Sequence, residues 1–274
     1  MILPPHPSLS LATSILFCAN QMSSKIGPSH LPLFHKLPAK NLSFEPAKPL
    51  GFRSRACSPI SSSYTGPSKQ ESTGRVVPAP DAYSVKFETL EGCKLGISRY
   101  PDFEYNAKGG VGNAVGRKDR ADDMLCVSFD VGTLYIPPLT GATTKFLGLP
   151  LPPLLKIAIV PEVFQGTISS RSGKVVVETT RRLMVELVFR ARFLFSVGSI
   201  YRAPPLMVET TLTSEESRGS MRSGRGERMD EEGRCKMVGV AVVDPINDAL
   251  MNAFLGLPTE CIAILNAKIS IAAP

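Results

Sequence analysis

Histidine, the side chain used most often for acid–base catalysis and metal binding, occurs only near the start of this 274-residue sequence, at His6, His30 and His35. A Ser-His-Asp triad, a Cys-His pair and a His-ligated zinc, iron or copper site all require an imidazole. If the segment that carries these histidines is removed after synthesis, the rest of the chain has none of these chemistries. We therefore name no catalytic residue, cofactor or metal site, and the sequence favours a non-enzymatic function.

Four cysteines lie beyond residue 80, at Cys93, Cys126, Cys235 and Cys261, and they are separated by 33, 109 and 26 positions. No pair has the short C-x-x-C spacing that is typical of metal and redox sites. The sequence predicts small buried apolar side chains in a reducing compartment. One sensitive thiol or a regulatory pair is the alternative.

Two segments have residue types that could bind phosphate. The first, AKGGVGNAVGRKDRADD at 107–123, combines Gly109, Gly110 and Gly112 with Arg117, so that backbone amides could surround an anion. The second, SRGSMRSGRGER at 217–228, carries Arg218, Arg222, Arg225 and Arg228. In a strand, Arg218, Arg222 and Arg228 would share one face and form a row of guanidinium groups able to bind phosphate or RNA. Neither segment matches a dinucleotide or Walker fingerprint. A mobile surface loop and a solvated hairpin face are therefore the favoured interpretations, and nucleotide or RNA binding is the alternative.

Three apolar clusters contain paired or closely spaced prolines: LYIPPL at 134–139, LGLPLPPLL at 147–155 and IYRAPPLM at 200–207. Proline cannot donate a ladder hydrogen bond, so we expect these clusters at strand ends or edges. They either pack over the core or form an exposed apolar rim for a lipid, a pigment or a membrane surface. The predicted rim residues are Tyr135, Pro137, Pro138, Leu151, Pro152, Pro153, Tyr201, Pro204 and Pro205.

Strands must position all of these segments, because the clearest periodic signal is an alternation of apolar side chains over 183–197. Period two with β-branched and aromatic residues predicts a long strand with one buried face. Weaker alternation marks 125–136, 154–160, 206–213, 236–243 and 261–271, and Asp230 to Gly233 offers a hairpin turn. We predict a mainly β (α+β) fold: an antiparallel sheet that forms a sandwich or a partly open barrel, with one or two short helices.

The string FLGLP occurs twice, at 146–150 and at 254–258. Before the second copy, Asp244 could cap a helix and Pro245 could start it, while Gly256 and Pro258 could end it. The first copy has the same Gly-x-Pro ending after a poorer helical pattern. Both regions therefore predict strand, short helix, strand. The sequence leaves open whether 125–163 and 236–271 are an internal repeat.

The first 70 residues differ in composition from the rest, since they hold one acid, Glu45, and seven bases, together with abundant serine and proline. An acid-poor, serine-rich, basic start is typical of an organelle transit peptide, and the absence of early arginines favours a plastid address. We predict a transit peptide over 1–57, a flexible linker over 58–80 and one β-rich domain over 81–274. A mitochondrial address and a plain disordered tail are the alternatives.

Charge gives no support for a nucleic-acid partner once this segment is set aside. Eight of the 31 bases and two of the 24 acids lie before residue 81, which leaves 23 bases and 22 acids in the body. The net charge of +7 for the whole chain therefore falls to about +1. Nucleic acid is not an expected partner.

The combined observations predict a non-enzymatic chloroplast protein, in the stroma or peripheral on a plastid membrane. It would bind a hydrophobic ligand such as a lipid, isoprenoid or pigment, or a thylakoid or envelope surface. The alternatives are a phosphate-directed module for nucleotide or RNA and an assembly partner of a plastid complex. The sequence identifies no protein partner.

Overall fold

A computed structural model describes residues 82–101, 103–119, 124–170 and 182–273. The predicted transit peptide and linker therefore lie outside the described residues. Within these ranges the chain is mostly antiparallel β-sheet, which confirms the predicted fold class, with one α-helix.

The described strands range from two to 15 residues. The helix is α1 (Ala249–Leu255). The strands are β1 (Ala82–Thr89), β2 (Cys93–Ile97), β3 (Phe103–Tyr105), β4 (Val111–Asp119), β5 (Met124–Phe129), β6 (Thr144–Phe146), β7 (Leu149–Pro150), β8 (Leu155–Ser169), β9 (Met184–Val197), β10 (Tyr201–Arg202), β11 (Leu206–Thr213), β12 (Glu216–Arg218), β13 (Ser223–Arg225), β14 (Arg234–Val243) and β15 (Thr259–Ala272).

Eight of these strands form a closed ring in the order β1, β4, β5, β8, β9, β11, β14 and β15. The ring closes because the second half of β15 pairs with β1, from Ala267 opposite Thr89 to Ala272 opposite Ser84. The first half of β15 pairs instead with β2, which leads to β3, β6 and β7. The sheet is therefore branched at β15.

The predicted buried face of 183–197 is confirmed in β9. Val185, Leu187 and Ala191 are fully buried. On the outer face, Arg190 and Arg192 place their Nε atoms 3.3 and 2.9 Å from the Glu162 carboxylate of β8. Local alternation thus determined which side of this strand faces the core.

The two FLGLP copies adopt different structures, so the predicted helix before the first copy is wrong. Thr144 to Phe146 pair with β3, and a two-residue turn at Leu147 (φ 50°) and Gly148 (φ 78°) leads directly into β7. Pairing with β3 gives the backbone N–H and C=O groups of this segment the hydrogen bonds that a helix would otherwise provide. Only the second region has the predicted order of strand, helix and strand.

Helix α1 ends as predicted and begins later than predicted. Gly256 closes it in the left-handed conformation (φ 71°) with its N–H donating to Asn252. The N-cap is Asp248, whose side chain accepts from the Met251 N–H at 2.9 Å, whereas the predicted cap Asp244 lies in the preceding exposed segment. Both residues are capping types, and the length of chain needed to leave β14 decides between them.

The cysteine prediction is correct for three of the four residues. Cys93 and Cys235 are buried thiols and Cys261 is a half-buried thiol. Burial raises the pKa of Cys235 to about 12 and that of Cys261 to about 11, so both are neutral near pH 7. Cys126 is disulfide-bonded, which corrects the prediction of a simple buried thiol there.

Candidate functional site

An interior cavity of about 210 Å³ lies inside the closed sheet. Its wall is built from residues of six ring strands (β1, β8, β9, β11, β14 and β15), of β2 and β3, of helix α1 and of the connecting segments, and no charged residue is among them. Aromatic and branched aliphatic residues dominate this wall. The cavity is therefore a candidate site for an apolar molecule.

The cavity occupies one end of the sheet, which we call the cavity end. Along β9, Phe189, Phe193 and Phe195 line it, whereas the fully buried Val185 and Leu187 do not. Along β14, Gly239, Ala241 and Val243 line it, whereas Cys235 and Met237 belong to the solid core at the opposite end. The interior is thus packed where β9 and β14 begin and hollow where they finish.

The threonine hydroxyls and the Tyr105 hydroxyl in the cavity wall already have partners within the protein. The Thr89 hydroxyl donates to the Ala107 carbonyl, and the Tyr105 hydroxyl donates to the Pro137 carbonyl. The Thr210 hydroxyl donates to the Val240 carbonyl at 2.9 Å. Burial also raises the pKa of Tyr105 well above its usual range, so its phenol stays protonated. No buried side-chain nitrogen or oxygen of the described residues lacks a partner. The surface that the wall presents to a ligand therefore consists mostly of carbon atoms.

Four aromatic rings, which we call the aromatic quartet, close the cavity end: Tyr100, Phe103, Phe146 and Phe254. The Tyr100 ring centroid lies 5.7 Å from that of Phe146 and 5.4 Å from that of Phe254. Phe103 packs on Phe146 at 4.9 Å. The phenylalanines of the two FLGLP copies therefore contact the same tyrosine, although their backbones differ. Offset and edge-on ring pairs of this kind add stability beyond the area that they bury.

Helix α1 forms part of the closure and is held at both ends. The Arg99 guanidinium donates to the Ala253 carbonyl near its C-terminus. The Tyr201 hydroxyl donates to Asp248 Oδ2 at 2.6 Å at its N-terminus. Between these contacts, Leu255 is buried and lines the cavity. Helix α1 is therefore both part of the cavity wall and fixed to its surroundings by two side-chain contacts.

The structure distributes the predicted rim residues over several environments. Tyr135, which is 54% exposed, and Leu151, which is buried, both line the cavity. Pro137 is buried and Tyr201 packs against the core beside α1. The other members are half-buried at Pro138, Pro152 and Pro204 and exposed at Pro153 and Pro205. The predicted clusters at 147–155 and 200–207 also contain Leu147, Leu149, Leu154 and Ile200, which were not among the named rim residues and are exposed.

The predicted mobile glycine loop is mainly a strand, since Val111 to Asp119 form β4 between β1 and β5. Its glycines make room for neighbours: a Cβ at Gly110 would lie 2.3 Å from Thr89 Oγ1, and one at Gly112 would lie 2.6 Å from Leu134 Cδ1. The amide of Gly110 donates to the Ala107 carbonyl, and Gly109 (φ 93°) forms the turn. These glycines therefore serve sheet packing, and Arg117 is exposed further along β4.

The predicted row of arginines is broken up by local partners. Arg218 pairs with Glu216 at 2.7 Å on β12, and Arg228 pairs with Glu215. Arg222 reaches across to β2, where its Nη2 donates to the Ile97 carbonyl at 2.7 Å. Arg225 lies exposed at the end of β13. The guanidinium groups bind nearby acceptors and do not form one continuous phosphate-binding face.

Glu260 is a buried carboxylate that sequence reasoning missed. It accepts from the backbone amides of Ser220, Met221 and Arg222 at 2.6, 2.8 and 2.9 Å, and from the Ser220 hydroxyl at 2.7 Å. The Ser220 hydroxyl, followed by these amides, lowers the pKa of Glu260 to about 2. Glu260 thereby fastens the β12–β13 turn to β15. An acid within the apolar run TECIAIL was the available sequence signal.

No helix of the described residues is long and apolar enough to span a membrane. No group of three or more metal-ligating side chains occurs among them. No protein-family model, curated protein or solved structure matches the chain. The interpretation of the cavity therefore depends on its own geometry.

Proposed function

We propose that this protein binds an uncharged hydrophobic molecule in the interior cavity. The observation that carries the proposal is a hollow of about 210 Å³ whose wall has no charged residue and whose threonine and Tyr105 hydroxyls are already hydrogen-bonded within the protein. Such a wall makes favourable contacts with apolar groups of a ligand and offers it few hydrogen bonds. This function is one of binding, and it assigns no catalytic residue.

The size of the cavity limits the ligand. An apolar cavity of about 150 Å³ accommodates benzene, so by scale about 210 Å³ accommodates a molecule of about eight to ten carbon atoms. The apolar end of a longer lipid, isoprenoid or pigment would fit equally well. In that case the remainder of the molecule would extend past the cavity end.

An energetic argument favours an occupied cavity. At about 24 cal/mol per Å³, an empty hollow of about 210 Å³ costs about 5 kcal/mol relative to a filled interior. Natural domains have a total stability of only about 5–15 kcal/mol, so a cost of this size is a large fraction of the whole. A bound apolar molecule would recover much of it.

The ligand is expected to be uncharged. An ionised carboxylate would lose its water without gaining a cation in this wall, and that loss costs several kcal/mol. The proposal therefore separates neutral hydrocarbons, alcohols and esters from fatty-acid anions. The alternative phosphate-directed function has no comparable site, because Arg222 is hydrogen-bonded to the Ile97 carbonyl, two of the three glycines pack closely against neighbours in and beside β4, and Arg117 and Arg225 are exposed on different strands.

Two measurements on the full-length protein test the proposal. Extraction of the purified protein with organic solvent, followed by mass spectrometry, should recover an apolar molecule. Titration with 4-isopropyltoluene should show saturable binding, whereas 4-isopropylbenzoate, which has the same shape and one carboxylate, should bind at least about 100-fold more weakly. A clean extract together with no saturable binding of 4-isopropyltoluene would overturn the proposal.

We also propose a plastid location, on the composition of residues 1–70. A fluorescent fusion to the full chain should accumulate in plastids. Fluorescence in the cytosol would contradict this location. It would leave the argument for the cavity unchanged.

A further inference from the structure

Four large apolar side chains are exposed on turns at the cavity end, and we call them the end patch: Leu147, Leu149, Leu154 and Ile200. Their exposed fractions are 47%, 48%, 57% and 60%. Leu147 and Leu149 belong to the β6–β7 hairpin, Leu154 directly precedes β8, and Ile200 follows β9. The two turns that carry Leu154 and Ile200 are joined, because the Gly198 N–H donates to the Leu154 carbonyl at 2.9 Å.

The end patch is continuous with the cavity wall. Phe146, next to Leu147, belongs to the aromatic quartet that closes the cavity end. Leu151 and Leu155, which follow Leu149 and Leu154, line the cavity itself. An apolar surface that surrounded this end would give a hydrophobic molecule a path to the cavity that avoids bulk water.

Leu147 occupies a backbone conformation that leucine seldom adopts. Its φ of 50° and that of Gly148 at 78° form a two-residue hairpin turn in which both residues are left-handed. Asn-Gly is the preferred pair at such a turn, and a bulky side chain there is strained. A leucine at the tip therefore costs stability while placing its side chain in water, which is an arrangement that points to a contact outside the folded chain.

Exposed cations accompany the end patch. Lys145 lies two residues before Leu147, while Lys156 and Arg202 flank Ser196 in register across β8, β9 and β10. Among nearby acids, Glu104 faces Lys145 across β3 and β6, and Asp248 accepts from Tyr201 and from the Met251 N–H. Apolar side chains with cations beside them complement a bilayer surface. The apolar side chains match the acyl chains, and the cations match the phosphates that lie above those chains.

We propose that the end patch docks on a lipid bilayer that carries anionic headgroups. The leucines and Ile200 would enter the boundary between headgroups and acyl chains, while Lys145, Lys156 and Arg202 would remain at the phosphates. This inference goes beyond ligand binding in the cavity and does not require it. If both are correct, the cavity end faces the membrane from which an apolar ligand could be taken.

The absence of tryptophan from the chain allows a test by a site-specific reporter. Leu149→Trp places the single indole in the end patch, and Val115→Trp places it on β4 at another exposed position (59%). Both full-length variants are mixed with vesicles of phosphatidylcholine and phosphatidylglycerol. The emission of Leu149→Trp should shift to the blue and be quenched by brominated acyl chains, and that of Val115→Trp should not. This comparison stays valid even if the basic first 70 residues bind the vesicles as well.

A second set of variants separates docking from folding. Leu147→Asn creates the preferred Asn-Gly turn, so its melting temperature should be unchanged or higher while its affinity for the vesicles falls about tenfold. Val115→Thr is the matched control and should keep its affinity. The double variant Lys145→Gln with Lys156→Gln should lose about fivefold per lysine on anionic vesicles and nothing on phosphatidylcholine alone.

Three outcomes would overturn this inference. The first is a full-length protein that does not bind the vesicles. The second is a Leu149→Trp emission that responds no more than that of Val115→Trp. The third is a Leu149→Trp emission that is already blue-shifted without lipid in a protein that sediments as a dimer, because a second copy would then cover the patch. None of these outcomes affects binding of 4-isopropyltoluene in solution, so failure here and failure of the cavity proposal are distinguishable.

Discussion

The ring of Tyr100 lies 5.4 Å from that of Phe254, measured between centroids, and this contact joins the segment between β2 and β3 to helix α1 across the cavity end. The same tyrosine ring also contacts the ring of Phe146, which lies on β6. One side chain thus links the three elements that separate the cavity from solvent. Its removal should affect both stability and ligand exchange.

We expect Tyr100→Ala to lower the free energy of unfolding by about 3 kcal/mol, since it deletes a buried ring from a packed cluster. It should also speed dissociation of 4-isopropyltoluene, because α1 loses a contact that opposes its movement. Denaturant unfolding and stopped-flow displacement measure the two effects. Tyr100→Phe, which keeps the ring, is the control. Equal dissociation rates for all three proteins would show that the quartet does not close the cavity.

Ala241 and Val242 are adjacent on β14 and provide a matched pair for the cavity. Ala241 lines the cavity, whereas Val242 is 62% exposed on the outer face. Ala241→Leu should weaken binding of 4-isopropyltoluene at least tenfold and stabilise the ligand-free protein by about 1 kcal/mol, because the new side chain occupies the hollow. Val242→Leu should change neither quantity. Calorimetric titration and thermal unfolding provide the measurements.

The N-cap of α1 offers a second matched comparison, because Asp248 caps the helix and Asp244 was the residue that the sequence pattern favoured. Asp248→Ala should cost about 1 kcal/mol, with a range of about 0.5–2, since the Met251 amide loses its acceptor. Asp244→Ala should stay within about 0.5 kcal/mol of the natural protein. If the two variants were equally destabilised, the assignment of the cap would be wrong.

The lowered pKa of Glu260 leads us to expect a specific dependence of the free energy of unfolding on pH. Hydrogen bonds from Ser220, Met221 and Arg222 lower its pKa in the folded protein to about 2, below the value of 4.5 expected for an unperturbed glutamate. A group whose pKa is depressed on folding stabilises the protein above its unfolded pKa, and that contribution is lost as the pH falls through the folded pKa. Stability should therefore decline from about pH 4.5 towards pH 2 through this group.

Glu260→Gln should remove that part of the acid sensitivity and lower stability near pH 7, since an amide accepts fewer hydrogen bonds from the turn. The control is Glu227→Gln, because Glu227 is exposed and pairs with Lys236 at 3.1 Å on the surface. Denaturant midpoints measured across the acid range test the prediction. Parallel curves for Glu260→Gln and the natural protein would contradict the assigned role.

The sequence by itself determined the β-rich class, the buried face of β9 and the end of α1 at Gly256. Each of these features is local: alternation of side chains along a strand and the left-handed freedom of glycine act over a few residues. The same local reasoning placed a turn at Asp230 to Gly233, where the Gly233 N–H donates to the Asp230 carbonyl at 3.1 Å.

Only the tertiary structure decided how the two FLGLP segments are used, where the cavity lies and why Glu260 is buried. The first FLGLP forms a hairpin because Thr144 to Phe146 pair with β3, and the second ends a helix because β14 and β15 must be joined there. β15 pairs with β1 along one half and with β2 along the other, and residues of both partner strands line the cavity. The contacts that set these features join residues from about 40 positions apart, for β6 and Glu260, to more than 160 positions apart, for β15, and no local pattern in the chain records them.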